Sequence, residues 1–360
     1  MKKIINLTIA TDISGKGGIS TVLQILNQHN FFITTNSTLI TSHCSSGGYF
    51  ELKRFAYFFF SLVQLLFYAV FYKLGVVHVH MASRGSYIRK SKILRLAKFF
   101  GAKTILHLHG AEFETFYNKE CSASKKQHIR DTFNMADKVI VLSTQWLAWV
   151  NTIVSDKTKT CIVYNAVPEV ALPKKSTQLH NILFLGRLGQ RKGVEDLITA
   201  FAQIAEEFPN TQLHLGGDGE IAKYQAQAKT LGVEKQVIFL GWVAGEKKNQ
   251  CLADATIYCL PSYNEGFPMG VLEAMSAGVA VVASTAGGIP DAITDHKEGL
   301  LVEAGNINAL AIALTTLLAD DRIREQYATA AKVKFKNNFS PDVIIPQLKG
   351  IYQKLLEENQ

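Results

Sequence analysis

Short apolar runs alternate with amphipathic stretches along most of this 360-residue chain. The runs are rich in Val, Ile and Leu, and in the stretches between them apolar residues recur with the spacing of a helix. Near-continuous apolar strands are typical of parallel sheets that helices cover on both faces. The pattern therefore predicts an α/β fold built from repeated strand–helix–strand units.

The predicted strands form two series, which indicates two doubly wound, Rossmann-like domains. The first series is Ile4–Ile9, Val76–His80, Thr104–His109 and Lys138–Leu142, and the second is Asn181–Leu185, Gln212–Leu215, Val237–Leu240, Ile257–Leu260 and Val279–Ala283. Between them, from Tyr164 to Gln178, the periodicity is lost and two prolines occur. We therefore expect one domain over residues 1–167 and a second over 168–340, followed by a final helix at 342–357.

Basic residues are concentrated in the first half of the chain. Up to Val167 there are 20 Lys and Arg residues against 8 Asp and Glu, whereas the remainder has 18 against 22. An anionic substrate or surface should therefore meet the first domain. Nucleic acid is a weaker explanation, because no recognisable nucleic-acid-binding module or arginine-rich run accompanies the charge. The five cysteines are scattered without metal-ligand spacing and are expected to be reduced thiols of a cytosolic protein.

An uncharged segment from Phe55 to Tyr72 would form about 27 Å of helix, just enough to cross a bilayer core. Ser61 and Gln64 interrupt it, and a span would pull the predicted strand at Val76 out of its sheet. We expect a helix of the first domain with an apolar, membrane-facing side; an ordinary buried helix is the second interpretation and a true span the third. The start of the chain does not resemble a signal peptide, so the expected location is cytoplasmic, at the inner face of the membrane.

Two glycine-containing loops follow predicted strands and open predicted helices. Gly17 and Gly18 lie in the first, while the second, Gly186–Gly193, carries Arg187 and Lys192. Glycines at such turns let backbone N–H groups approach a phosphate, and the Arg and Lys side chains suit a diphosphate. Neither loop has the spacing of a dinucleotide or P-loop motif, so a plain turn and solvated surface charges stay open as alternatives.

The most specific stretch is Pro261–Ser284, whose pattern predicts a strand end, a Gly/Pro loop, a short helix and another buried strand. Glu265 lies in the loop, and Glu273 lies about one turn into the helix. Ligands bind α/β proteins at the carboxyl edge of the sheet. Both carboxylates are therefore expected to face one pocket at that edge.

This stretch resembles the E-x7-E signature of glycosyltransferase family 4, a group of retaining enzymes with the GT-B fold. The likeness extends over nearly the whole chain, through the motifs Val76-Val-His-Val-His80, His107-Leu-His109-Gly-Ala-Glu112, Gly216-Gly-Asp-Gly219, Gly287-Gly-Ile-Pro-Asp291 and Gly299-Leu-Leu-Val302. It implies two Rossmann-like domains that face a cleft, with a C-terminal helix that crosses back to the first domain. The chain departs from the family pattern at Gly75, Ala166 and Asp291, which concerns specificity rather than donor binding.

The resemblance also implies roles for individual residues. Arg187 and Lys192 would hold the diphosphate of the donor, and Glu265 would hold the hydroxyls of its sugar. His109 would line the donor-sugar pocket, so these four are the predicted catalytic residues. Predicted donor-binding positions are Glu273 on the ribose, Gly17, Gly18, Gly186, Trp242, Val243, Phe267, Met269 and Gly270.

A positive cluster in the first domain is the predicted acceptor site. Its members run from a loop into a helix and are Arg84, Arg89, Lys90, Lys92, Arg95 and Lys98, of which Arg84, Arg89 and Lys90 are the predicted acceptor-binding residues. Next to the apolar segment, such a cluster favours a lipid-linked, pyrophosphate-bearing glycan at a membrane surface. A soluble basic face is the alternative.

Together these features predict a retaining hexosyltransferase that moves a sugar from a nucleotide-sugar, expected to be a UDP-sugar, to a hydroxyl of a lipid-linked oligosaccharide in cell-surface polysaccharide biosynthesis. No D-x-D triplet occurs, which agrees with the metal-independent catalysis that the resemblance implies. No cofactor is expected, because the nucleotide-sugar is a substrate. Two other functions stay open: a sugar-nucleotide epimerase with the same fold, and a non-catalytic sugar-nucleotide-binding subunit.

Overall fold

The chain folds into two compact units, seen in a computed structural model that describes residues 2–15, 17–44, 50–174 and 180–358. Unit 1 combines the residues up to Ala166 with those from Pro341 onwards, and unit 2 is Val167–Ser340. The predicted division, after Val167, lies one residue beyond the observed one. Residues 175–178 of the predicted linker lie outside the described residues.

Unit 1 is built on a parallel sheet of six strands. They are β1 (Ile4–Ala10), β2 (Ser37–Thr41), β3 (Lys73–Met81), β4 (Lys103–Leu108), β5 (Lys138–Val141) and β6 (Thr160–Ile162), in the spatial order β2-β1-β3-β4-β5-β6. The helices between them are α1 (Gly18–Gln28), α2 (Phe31–Thr34), α3 (Phe50–Phe71), α4 (Gly85–Phe99), α5 (Phe113–Thr115), α6 (Ala123–Met135) and α7 (Thr144–Val150).

Unit 2 is also built on a parallel sheet of six strands. They are β7 (His180–Leu185), β8 (Thr211–Gly216), β9 (Val237–Gly241), β10 (Ile257–Leu260), β11 (Ala280–Ser284) and β12 (Leu300–Val302), in the order β12-β11-β10-β7-β8-β9. Its helices are α8 (Val194–Ile204), α9 (Ile221–Thr230), α10 (Gly245–Asp254), α11 (Met269–Ala277), α12 (Ile289–Ala292), α13 (Ile307–Ala319) and α14 (Asp321–Asn338).

The central strand β3 shows why these sequences form covered parallel sheets. Every residue from Leu74 to Met81 is buried, as expected when helices pack on both faces of a strand. Gly75 is the second residue of this buried run, and a Cβ there would lie 2.4 Å from Oδ1 of Asn6 on the neighbouring strand. That oxygen instead accepts a hydrogen bond from the Val76 N–H at 2.7 Å. The departure from the family pattern at Gly75 thus makes room for the Asn6 side chain.

The last helix of the chain, α15 (Pro341–Glu357), packs on the first unit. Ile344, Leu348 and Tyr352 are buried on its inner face. The Tyr352 hydroxyl lies 3.1 Å from Nδ1 of His78 on β3 and 3.4 Å from Oγ1 of Thr8 on β1. The C-terminal helix therefore completes the core of unit 1, as the sequence predicts.

Helix α3 contains the apolar Phe55–Tyr72 segment and presents much of it to solvent. Ser61 and Leu65 are buried against the unit. The exposed large apolar side chains on the other side are Phe55, Tyr57, Phe59, Phe60, Val63, Leu66, Phe67, Val70 and Phe71. The interpretation as an ordinary buried helix is therefore wrong. Within the described ranges of the chain, no helix combines the length and the apolar character that crossing a membrane requires.

Candidate active site

Two loops of unit 2 leave neighbouring strands at the carboxyl edge of its sheet. One follows β7 and carries Gly186 to Gly193, and the other follows β10 and carries Glu265. Because β7 and β10 pair in parallel, both loops start at the same edge. Ligands of open α/β sheets bind at this edge.

Lys192 and Glu265 form an ion pair between the two loops. The Nζ atom of Lys192 lies 2.6 Å from Oε1 of Glu265, and only 16% and 7% of the two side chains are exposed. A charge-assisted hydrogen bond this short, largely shielded from water, fixes both side chains. The sequence predicted one residue for the diphosphate and the other for the sugar. The structure brings them together.

Close backbone packing holds the Glu265 loop in place. A Cβ at Gly193, which has a φ of +68°, would lie 2.1 Å from the carbonyl oxygen of Pro261. On the other side, a Cβ at Gly287 would lie 1.9 Å from the carbonyl oxygen of Glu265 itself. The Arg191 guanidinium adds a hydrogen bond of 2.9 Å to the carbonyl oxygen of Asn264. The carboxylate is therefore positioned by a rigid loop.

Glu273 has an ion-pair partner that the sequence did not reveal. It lies in the second turn of α11, and its Oε1 is 2.7 Å from Nζ of Lys248 on α10. Both side chains are mostly buried. The signal for Lys248 was weak, since it is one of two adjacent lysines in a polar helix. Each glutamate of the E-x7-E pair is thus held by one lysine.

Arg187 differs from both lysines. Its side chain is exposed, and it forms no ion pair or hydrogen bond with any residue that the structure describes. It follows Gly186, whose φ of +158° is rare for residues with a side chain, and a Cβ on Gly217 would lie 1.8 Å from the Gly186 carbonyl oxygen. A cation held on this tight turn, with no counter-charge, is available to an anionic ligand.

The remaining donor-binding positions of unit 2 lie on short segments beside these loops. Met269 and Gly270 form the first turn of α11, where the helix leaves backbone N–H groups without intrahelical partners. Phe267 is buried and packs against Phe339, with the two rings tilted by 54° and their centroids 5.4 Å apart. Trp242 is half exposed, whereas Val243 is buried.

Unit 1 holds the other predicted donor-binding glycines. Gly17 caps α1 with a φ of +128°, and no atom lies within 4 Å of where a Cβ would stand on Gly17 or Gly18. The first turn of α1 carries no acidic side chain. The turn is therefore open and able to accept a phosphate, and its role stays a prediction.

His109 belongs to a cluster of four imidazoles at the ends of β3 and β4. Its Nε2 lies 2.8 Å from Nδ1 of His80, and Nε2 of His78 lies 3.1 Å from Nδ1 of His107. Burial is the main reason that the pKa of His78 and that of His109 fall to about 3, and it also lowers the pKa values of His80 and His107. All four rings are therefore neutral at physiological pH, so His109 can act as a hydrogen-bonding group but not as a cation.

The predicted acceptor-binding residues do not form one exposed patch. Arg84 is exposed, but its guanidinium is bound to Glu112 and Glu120 at 2.5 Å each. Arg89 is partly buried, and Lys90 is fully buried on α4. The expectation of a solvent-facing cluster is therefore wrong for Lys90, which faces the sheet because it follows Tyr87 by three residues and shares its buried face.

The second unit resembles part of a known family of proteins. Residues 172–334, nearly all of unit 2, match the family model described as glycosyl transferases group 1. The phosphatidyl-myo-inositol mannosyltransferase of Mycobacterium leprae is 35% identical over 174 residues, which are 48% of this chain and 46% of that protein. The chain spans about half the length of the curated relatives that it matches first.

Solved structures match the chain over both units. The sucrose-phosphate synthase from Thermosynechococcus elongatus has a TM-score of 0.81 at 19% identity and covers 98% of this chain and 100% of that one. The Anabaena protein HepE, solved in complex with UDP-glucose, has a TM-score of 0.74 at 19% identity and covers 97% and 100%. The GT-B fold expected from the sequence is confirmed.

Proposed function

We propose that this protein is a retaining, metal-independent hexosyltransferase that moves a sugar from a UDP-sugar to a hydroxyl group of a lipid-linked oligosaccharide in cell-surface polysaccharide assembly. The observation that carries the proposal is the Lys192–Glu265 ion pair on the two loops that bear the family motifs, together with Arg187 on the first of them, which forms no ion pair with any described residue. The glycosyl transferases group 1 match over unit 2 and the UDP-glucose bound by the Anabaena protein support the same function.

The charges of the two loops suit cleavage of a sugar–diphosphate bond. As the glycosidic bond breaks, positive charge develops on the sugar ring and negative charge on the departing diphosphate. Arg187 and Lys192 stabilise that negative charge without a metal ion. Lys192 is held in place by Glu265 before the reaction begins, and Arg187 extends from a tight turn beside the same strand end. Glu265 accepts hydrogen bonds from the sugar hydroxyls, and Glu273 accepts them from the ribose.

Transfer with retention follows if the acceptor hydroxyl attacks from the face that the diphosphate leaves. The acceptor oxygen forms the new bond to the anomeric carbon, the bond to the phosphate oxygen breaks, and the acceptor proton passes to the leaving phosphate. No protein carboxylate becomes covalently attached in this scheme. Glu265 therefore binds the sugar and is not a nucleophile.

The direct test removes the cation that has no structural partner. Arg187→Ala should lower kcat by about 100-fold or more, since a single preorganised donor to a developing oxyanion contributes roughly that much. Its folding should be unchanged, because Arg187 contacts no described side chain. Lys229→Ala, which removes an exposed charge from α9, is the matched control. Unchanged activity in Arg187→Ala would exclude the proposed role of this loop.

Three further measurements separate this function from its alternatives. Incubation of UDP-sugars without acceptor should give no epimerised sugar, whereas an epimerase would convert them. NMR of the product should show an anomeric proton with the configuration of the donor. Activity should persist in EDTA. A protein that binds UDP-sugars but turns none over with any acceptor would instead be a non-catalytic subunit.

The exposed apolar side of α3 supports binding to a membrane surface. Amphipathic helices insert such faces at the boundary between headgroups and acyl chains, and neighbouring basic residues add attraction to anionic lipids. Lys2 donates a hydrogen bond to the Val70 carbonyl oxygen near the C-terminal end of this helix, which places a cation at the edge of the apolar face. Binding to vesicles that contain anionic lipid should weaken at high salt, and a protein that stays unbound under both conditions would argue against the membrane location.

A further inference from the structure

Lys90 is a buried cation that lacks a counter-charge. It lies in the second turn of α4, and none of its surface is exposed. Its ammonium group has one long hydrogen bond, 3.4 Å, to Oγ of Ser86. Among the described residues, no carboxylate lies within ion-pair distance of it. Buried lysines are ordinarily paired, because an isolated charge is costly to remove from water.

The groups around Lys90 do not compensate its charge. His80 and His109 are close enough to interact with it electrostatically, and both are neutral. Arg89, the preceding residue, is also a cation. Burial and the Arg89 charge lower the pKa of Lys90 to about 7, which is the response expected when no anion is present.

The ammonium group also lies at the end of α4 that disfavours cations. Ser86, its hydrogen-bond partner, is in the first turn of this 15-residue helix. The first turn contains no acidic residue, and the N-cap residue Arg84 provides no side-chain hydrogen bond to it. The N-terminus of a helix carries partial positive charge and binds anions. A buried lysine and a helix N-terminus thus add their positive potentials at one place.

Exposed residues border this place. Arg84 and Gly85 are exposed at the start of α4, and Ser86 and His109 are partly exposed. The Arg84 guanidinium already has Glu112 and Glu120 as partners, so Lys90 is the cation that lacks an anion here. Because Lys90 itself is fully buried, its ammonium group has to turn on its flexible stem to meet a ligand from the exposed side.

We propose that Lys90 and the first turn of α4 bind the phosphate or diphosphate group of the acceptor. The inference rests on the proposed function, since it names the part of the acceptor that unit 1 recognises. It also changes the expectation from the sequence, because the anchoring group is a single buried lysine at a helix N-terminus and not a solvent-facing patch of arginines. His109, whose ring contacts His80 at the same edge, would face the glycan beyond the phosphate.

Calorimetric titration of the full chain with inorganic pyrophosphate tests this site. Measurements in the Arg187→Ala protein remove one of the two cations proposed to hold the donor diphosphate, and since Lys192 is the same in every variant, differences between the variants report on unit 1. Lys90→Met in that background should weaken pyrophosphate binding by about 10-fold or more, as expected for loss of a charged hydrogen-bonding partner. Lys157→Met removes the same charge from an exposed position elsewhere in unit 1 and should leave binding unchanged. Equal binding by the Lys90→Met and Lys157→Met proteins would overturn the proposal.

Thermal unfolding without ligand separates this role from a structural one. Because the buried ammonium has no carboxylate partner among the described residues and only one long hydrogen bond, Lys90→Met should melt at the same temperature or several degrees higher, whereas loss of a structural lysine would lower the melting temperature. A lower melting temperature would overturn the proposal. Should Lys90→Met not fold, Lys90→Gln, which keeps a donor for Ser86, provides the same binding comparison.

A comparison of two ligands distinguishes the possible sources of the phosphate. A separate activity measurement distinguishes failure of this binding site from failure of the proposed function. Farnesyl diphosphate should bind more tightly than pyrophosphate if the natural acceptor is lipid-linked, and equally if it is a soluble phosphate ester; in both cases affinity should depend on Lys90. Failure of the proposed function would appear as absent UDP-sugar turnover in the unmodified protein. Pyrophosphate binding through Lys90 is measured independently of that turnover.

Discussion

The two units of this protein treat buried charge in opposite ways. In unit 2 the two glutamates of the motif are each paired with a lysine, at 2.6 Å for Glu265 and 2.7 Å for Glu273. In unit 1 the buried Lys90 has no carboxylate partner among the residues that the structure describes, and the four clustered histidines are neutral. The charges of the first arrangement are balanced without a ligand. An anion would balance the charge of the second, as proposed above.

This difference indicates how each unit would respond to substrate. In unit 2 a donor has to share or replace existing ion pairs, so binding exchanges one set of charged hydrogen bonds for another. In unit 1 an anion would compensate a charge that now has none, so binding there should stabilise the fold directly. The predictions below measure this contrast.

The largest expected difference is between Lys192 and Lys90, whose replacement should affect the free energy of unfolding in different ways. Lys192→Met leaves the Glu265 carboxylate buried without its partner and should lower the free energy of unfolding by about 3 kcal/mol. Lys90→Met should not lower it at all. Urea denaturation measures both, and Lys192→Met/Glu265→Met, which removes both charges, should recover most of the loss. If both lysine variants destabilise the protein equally, the contrast between the units is wrong.

Acid should act first through the histidines of unit 1. The pKa of His78 is about 3 in the folded protein and about 6.5 when the chain is unfolded, so the unfolded chain gains protons first as the pH falls. The part of the free energy of unfolding that depends on His78 is complete above pH 6.5 and is lost as the pH falls toward 3. By pH 5 this loss amounts to about 2 kcal/mol. His78→Gln should reduce the pH dependence of urea unfolding, whereas the exposed His296→Gln should not.

A smaller effect is expected at the second ion pair of unit 2. Lys248→Met frees one oxygen of Glu273, and since both side chains keep some exposure the loss should be about 1 kcal/mol of donor binding. This corresponds to a KM for the UDP-sugar raised roughly five-fold with little change in kcat. Lys247→Met, its neighbour on the same helix, is the control. An unchanged KM would mean that Lys248 does not position Glu273.

The smallest effect on stability is expected on α3. Phe59 and Phe67 are about half exposed, and replacing both by Ser should change the free energy of unfolding by no more than about 0.5 kcal/mol per residue. Binding to anionic vesicles, measured by co-sedimentation, should nevertheless fall. Leu65→Ala, on the buried side of the same helix, should cost about 2–5 kcal/mol and leave the apolar face intact. Vesicle binding that is unchanged by replacing Phe59 and Phe67 would place the membrane contact elsewhere.

The central strands were predictable from the sequence, whereas of the four edge strands only β9 was predicted. The prediction Ile257–Leu260 matches β10, and the other predicted strands lie within one to three residues of the observed ends. The three missed strands are β2, β6 and β12, and all three lie at the edge of a sheet. Edge strands have one neighbour and are only partly covered, so they need fewer apolar residues. β6 is three residues long and partly exposed throughout.

The sequence predicted those site residues that directly follow recognisable strands. Glu265 and Lys192 follow strands that had been recognised, and the parallel sheet brings their loops together. Lys248 was missed because its contact with Glu273 depends on how α10 packs against α11, which no local pattern encodes. For Lys90 a signal did exist, since Tyr87 and Leu94 lie on the same helical face, but its charge favoured a surface position.

The return of α15 to unit 1 has a consequence for synthesis of the chain. Tyr352 supplies a buried hydroxyl to His78 and Thr8, yet it is translated after the whole of unit 2. While the ribosome is still extending the chain, β1 and β3 lack the helix that covers them. Unit 2, which is continuous in sequence, can reach its native packing first. Unit 1, whose first strands are synthesised earliest, therefore completes its folding last.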